Sequence, residues 1–224
     1  MIRLNIFLNT ILGLTEIVFI LDRSGSMQGL EADTVGGFNA MIAKQKKIEG
    51  DAIISTVLFD DQFEVLHNRV PLESVKPITT KDYYVRGATA LLDAIGRGIK
   101  KIGRVQKYLP EESKAEKVIF IITTDGMENA SREYSYELLK NMVEHQKEKY
   151  NWEFIFLGAN IDAQETAQRF GIRKDRAANY HADQRGTRQN YESVGEAISE
   201  FRMSNEINAN WKDQIDKDFK NRQK

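Results

Sequence analysis

The sequence predicts an α/β fold: a Rossmann-like three-layer sandwich whose mostly parallel sheet, with one antiparallel edge strand, carries helices on both faces. Three observations predict it. The runs Ile17–Leu21 and Val118–Ile122 are continuously apolar, as strands covered on both faces are. Segments of helical length with apolar residues three and four apart separate such runs. The chain has 224 residues, 41% hydrophobic and 29% charged, enough for one large core. With only 3 prolines and no Gly/Ser tract, no linker is visible. The expected organisation is an N-terminal extension over 1–14 and a single domain over 15–224, ending in a helical segment from about 186 to 224.

The elements follow in order. Residues 1–14 hold an apolar run with one Arg. It imitates a signal peptide or span, but Asn5, Asn9 and Thr10 interrupt it and no small-residue cleavage site follows. The expectation is an accessory strand or helix, or an ill-chosen start of the reading frame, ahead of a membrane anchor. Thr15–Leu21 is the first core strand. Glu31–Lys47 is a helix through Val35, Phe38, Met41 and Ile42. Asp51–Phe59 is a strand, Asp60-Asp61 a tight turn, and Phe63–His67 a short antiparallel edge strand. Asn68–Arg86, with Pro71 and Pro77, is irregular. Ala90–Tyr108 is a helix carrying Leu91, Leu92, Ile95, Ile99 and Ile102. Lys117–Thr124 is the second buried strand. Tyr134–Tyr150 is an amphipathic helix, Trp152–Gly158 a strand, Ala163–Phe170 a helix and Ala177–Tyr180 a short last strand. Ser193–Phe219 is polar and helix-favouring, with Val194, Ala197, Ile198, Phe201 and Met203 as its docking face and Trp211 docking the tail helix onto the body.

Composition narrows the chemistry. A net charge of -1 gives no argument for nucleic acid or an anionic membrane. The absence of cysteine excludes disulfides, thiolate metal sites and a cysteine nucleophile. The 3 histidines show no metal spacing. No G-x-x-x-x-G-K-[ST] phosphate loop and no G-x-S-x-G elbow occurs.

The candidate site comes from three places. The first strand runs into Asp22-Arg23-Ser24-Gly25-Ser26, a carboxylate and two hydroxyls spaced D-x-S-x-S. Gly87-Ala88-Thr89 brings a third hydroxyl to the start of a helix. Thr124-Asp125-Gly126 ends the second buried strand in another carboxylate. Ligands of open α/β sheets bind beyond the carboxyl ends of the strands, where both aspartates fall. Oxygen donors of this kind suit a hard divalent cation. Each piece alone reads equally as caps and turns. Asp60, Asp61, Asn160 and Asp162 could rim the same edge, and Glu128, Asn129 and Ser131 follow Asp125 as solvated loop residues or selectivity determinants. Arg23 is expected to face solvent or an acidic partner.

In order, D-x-S-x-S, then T, then D, the pattern resembles the metal-ion-dependent adhesion site of the von Willebrand factor A family, over roughly Thr15 to Gly158. All five motif positions are filled. The resemblance implies direct metal contacts from Ser24 and Ser26 and, in the ligand-bound form, from Thr89, with Asp22 and Asp125 acting often through water. It implies Mg2+, with Mn2+ or Ca2+ as alternatives, and an open coordination position for a partner's Asp or Glu. It further suggests a cytoplasmic, bacterial-type adaptor working beside a separate ATPase subunit. Two other readings stand beside it. One is a metal-dependent hydrolase or phosphotransferase at the same aspartates, weakened because Asp22-Arg23-Ser24 lacks the second acid of a D-x-D phosphatase. The other is a metal that only stabilises the fold.

Overall fold

A computed structural model describes residues 13–222. The expected N-terminal extension therefore lies outside the described residues, apart from Gly13 and Leu14. The strands are β1 (Thr15–Asp22), β2 (Ala52–Phe59), β3 (Phe63–Pro71), β4 (Lys117–Thr124), β5 (Glu153–Ala159) and β6 (Ala177–Tyr180). The α-helices are α1 (Glu31–Gln45), α2 (Leu91–Tyr108), α3 (Tyr136–Tyr150), α4 (Ala163–Arg169), α5 (Gln184–Ser204) and α6 (Asp213–Arg222). One sheet has the order β3-β2-β1-β4-β5-β6. Every pairing is parallel except β2 with β3.

The apolar runs are continuous because β1 is central and buried at all eight positions. Its side chains alternate between two cores. Ile17, Phe19 and Leu21 join Phe38 and Met41 of α1 and Val194, Ile198 and Phe201 of α5. Val18 and Ile20 join Leu91, Ile95 and Ile99 of α2, Leu139 and Val143 of α3, and Ala163 and Ala167 of α4. The chain leaves β1 towards β2 on one side and builds β4, β5 and β6 on the other. The carboxyl ends of β1 and β4 thus flank the point where strand order reverses, and that point carries Asp22 and the residue after Thr124.

Two expectations need correction. The edge strand β3 runs on to Pro71 instead of ending at His67. Its register slips around Thr56, and Arg69 takes a left-handed backbone (φ 54°), so no clean alternation marks it. The helix-favouring C-terminal segment resolves into two helices, with Trp211 outside both and Met203 off the docking face. It starts earlier, at Gln184, where the Asp183 carboxylate caps the Gly186 amide, and it breaks at Asn205, whose φ of 60° ends α5. Ile207 and Trp211 then turn inward, and Met203 stays exposed. Trp211 lies in the turn before α6. Its Nε1 donates to Asp175 O at 2.7 Å, Lys212 Nζ donates to Ala177 O at 2.7 Å, and Phe219 packs on His181. These contacts lay α6 along β6 and cover that sheet edge.

Candidate metal centre

The structure brings the five predicted residues to one point. Ser24 N donates to Asp22 Oδ1 at 2.7 Å, folding the loop after β1 back onto its own carboxylate. Ser24 Oγ and Ser26 Oγ are 3.0 Å apart, and Thr89 Oγ1 donates to Ser24 Oγ at 3.0 Å. The Asp125 loop closes the group. A Cβ built on Gly126 would lie 3.0 Å from Ser26 Oγ and 3.4 Å from Thr89 Oγ1. Gly87 has φ +69°, and a side chain there would collide with Asp61, so only glycine lets the Thr89 loop come this close.

Asp22, Ser24, Thr89 and Asp125 are buried, while Ser26 is exposed. The hydroxyls line an open depression of about 430 Å3 that also includes Met127, Glu128, Asn129 and Asn160. Neither buried Asp125 oxygen meets a partner in full hydrogen-bond geometry, although the Ser26 hydroxyl lies near. Burial pushes the Asp125 carboxyl above the usual range, and the Ser26 hydroxyl offsets this only in part. Burial also raises Asp22, to about 6, against the hydrogen bonds from Thr124 and Ser24; the nearby Asp125 charge adds to the rise. Two desolvated carboxylates beside each other are a site that a cation relieves. Among the described residues no three His, Asp or Glu side chains gather as a metal cluster. The donor set here is hydroxyl-rich, with two carboxylates, and its all-oxygen chemistry fits a hard divalent ion.

Thr124, Tyr83 and Asp93 were not singled out by the sequence, and Glu128 and Asn129 take a role other than the one expected. Thr124 Oγ1 donates to Asp22 Oδ2 at 2.6 Å, and the Tyr83 hydroxyl donates to Asp22 O. Asn129 Oδ1 accepts from Thr89 N at 2.9 Å, while Asn129 N donates back to Thr89 O at 3.1 Å. Glu128 accepts from Leu92 N at the start of α2 and from Ala130 N and Ser131 N. Asp93, in the first turn of α2, accepts in return from the amides of Arg132, Glu133 and Tyr134. The two carboxylates clasp the Thr89 and Asp125 loops together. Glu128 and Asn129 are therefore structural ties and not merely solvated loop residues. The sequence signal was their position three and four residues after Asp125.

Other expectations resolve as follows. Arg23 does not face solvent: its side chain is fully buried and pairs with Asp60 at 2.9 Å. Asp60 is held inward by that pair, so it does not rim the edge with a free carboxylate. Asp162 caps α4 through Glu165 N. Asn160 Nδ2 reaches Asp125 O at 3.2 Å and does stand at the rim. The histidines lie apart, His67 on Thr56, His145 on Tyr150 and His181 on Phe219.

No family model matches the sequence, and no curated protein matches it. Solved structures do match in fold. Proximal thread matrix protein 1 from the mussel byssus, with a zinc-occupied MIDAS motif, aligns at TM-score 0.56 and 14% identity over 84% of this chain and 46% of that one. Manganese-loaded TRAP protein of Plasmodium vivax aligns at TM-score 0.53 and 16% identity over 76% and 70%. A von Willebrand factor type A structure from Catenulispora acidiphila aligns at TM-score 0.54 and 14% identity over 84% and 43%. The chain thus spans less than half the length of the mussel and Catenulispora proteins. No α-helix of the described residues is long and apolar enough to cross a membrane. Strand order, the antiparallel edge and these alignments agree on one architecture: the chain has the von Willebrand factor A fold.

Proposed function

We propose that this chain is a divalent-metal-dependent protein-binding module, an adaptor or scaffold whose metal site engages an acidic residue of a partner protein. The observation that carries this reading is Asp125, whose two buried oxygens lack a hydrogen-bond partner, next to Gly126, which packs against Ser26 and Thr89 and lines an open depression with them. Ser24, Ser26 and Thr89 would hold the ion, with Asp22 and Asp125 balancing its charge. Mg2+ is the proposed ion, with Mn2+ or Ca2+ as alternatives. The ion supplies an electrophilic position that attracts a carboxylate. The zinc and manganese in the mussel and Plasmodium proteins support a divalent ion on this architecture. A cytoplasmic adaptor serving a separate ATPase subunit remains part of the proposal.

Hydrolase or phosphotransferase chemistry finds less support. It needs a second free acid or base beside Asp125, and Asp22 is engaged through both oxygens by Ser24 N and Thr124 Oγ1. Glu128, the carboxylate in the wall of the depression, is engaged through both oxygens with the amides of Leu92, Ala130 and Ser131.

The test is calorimetric titration of Mg2+ and Mn2+ into EDTA-stripped protein, with Asp22→Ala alongside. One-site binding in the wild type, weakened at least about tenfold in a folded Asp22→Ala, is the expected result. Equal affinity in both proteins would reject the site.

A further inference from the structure

We infer that Asp60 is a positioning residue of the metal centre, holding the Thr89 loop against the Asp22 loop through Arg23 and Arg86; this rests on the metal-binding reading above.

Asp60 follows β2 and its side chain is fully buried. Its Oδ2 accepts from Arg23 Nε at 2.9 Å and from Arg86 Nε at 2.7 Å, and its Oδ1 accepts from Gln62 N at 2.6 Å. Its backbone oxygen accepts from Ala90 N at 2.9 Å. Arg86 N donates to Arg23 O at 2.8 Å, and Gly25 N donates to Gly87 O at 3.2 Å. The loop from Arg86 to Ala90 is therefore tied at both ends, and Thr89 hangs between the ties. One carboxylate oxygen links the residue inside D-x-S-x-S to the residue that starts the Thr89 loop. Glu64, 2.8 Å from Arg23 Nη2, offsets the second guanidinium, and the Tyr84 ring lies 5.3 and 5.5 Å from the two guanidinium carbons.

A charge cluster that only stabilises a turn would look similar, and the sign of one substitution separates the two. Arg86→Gln removes a positive charge near a cation site, which by electrostatics alone strengthens metal binding. Loss of positioning weakens it. Arg86 is partly exposed, and the buried Arg23–Asp60 pair survives the change, so the variant should fold.

The experiment measures Mn2+ affinity by calorimetry, melting in EDTA, and amide exchange at Arg86 and Ala90, for wild type, Arg86→Gln and Arg86→Lys. The expected result is Mn2+ binding weakened roughly fivefold or more in Arg86→Gln, about 1 kcal/mol. Melting should be nearly unchanged, exchange at Ala90 faster, and Arg86→Lys intermediate. Unchanged or tighter Mn2+ binding in Arg86→Gln would overturn the inference, as would weaker binding with wild-type exchange at Ala90. A wild type that binds no Mn2+ would instead overturn the metal reading itself. Exchange alone would then judge the latch: acceleration confined to Arg86–Ala90 supports it, and no acceleration ends it.

Discussion

The Thr124 hydroxyl donates to Asp22 Oδ2 at 2.6 Å, joining the last residue of β4 to the last residue of β1 across 102 positions of sequence. Thr124 also accepts weakly from Gly126 N at 3.4 Å. The bond stabilises the ionised form of a carboxylate that burial opposes. Thr124→Val keeps the shape and removes the donor. Because the lost bond is buried and ends on a charge, the cost should be about 1.5–3 kcal/mol. Urea unfolding of EDTA-stripped protein at neutral pH measures it, and an unchanged midpoint would reject the role assigned to Thr124.

Asp125→Asn should act with opposite signs on the fold and on the metal. Neither buried oxygen of Asp125 meets a partner in full hydrogen-bond geometry, and burial raises its carboxyl. A neutral amide of the same shape costs less to bury than a charge. The stripped variant should therefore melt above the stripped wild type. Metal should raise only the wild type, by about 2.7 kcal/mol at a hundredfold excess over Kd. Calorimetric melts with and without Mg2+ decide this, and a variant that melts lower when stripped would contradict it.

The site was legible where its parts were contiguous. Asp22, Ser24 and Ser26 lie within five residues, and each remaining ligand candidate follows a strand or precedes a helix. The partners that orient them were not legible, because nothing local marks them. Nothing near Arg23 in the sequence marks Asp60, 37 positions away, as the partner that buries it. Asp93 and Glu128 exchange hydrogen bonds with each other's loops, a reciprocity no periodicity encodes. The parallel strands showed as apolar runs because both faces are covered. The far end of β3 is not legible because the strand is only half-buried and irregularly paired. The break at Asn205 was hidden in a stretch as polar as the helices beside it.

Val18→Asp tests the fold without touching the site. Val18 is 1% exposed in the central strand and faces α2. A carboxylate there has no partner, and its desolvation should cost about 4 kcal/mol or more. Loss of cooperative thermal unfolding by circular dichroism is expected. A folded variant with near-native melting would mean that β1 is not central.

Glu16 sets a pH dependence at the opposite end of β1 from the metal centre. Its side chain is buried. Burial raises its carboxyl above the ordinary 4.5, outweighing Arg69 at 3.4 Å, the hydrogen bond from Gln106 at 2.7 Å and that from Ser55. The folded state thus holds the proton to higher pH than the unfolded state. Between the ordinary and the raised value the native state binds more protons, so stability falls as pH rises through that window. The contribution is full below about 4.5 and gone above the raised value. Glu16→Gln is neutral throughout, keeps the Gln106 and Ser55 neighbours and cannot lose stability this way. Its stability relative to wild type should climb as pH rises from about 4.5 and level off above the raised value. Paired urea titrations from pH 4 to 8 on metal-free protein read the difference directly, with the other carboxylates cancelling between the two proteins. A difference independent of pH would mean that Arg69 and the hydrogen bonds cancel burial, and one that grows towards acid that they outweigh it and hold Glu16 ionised.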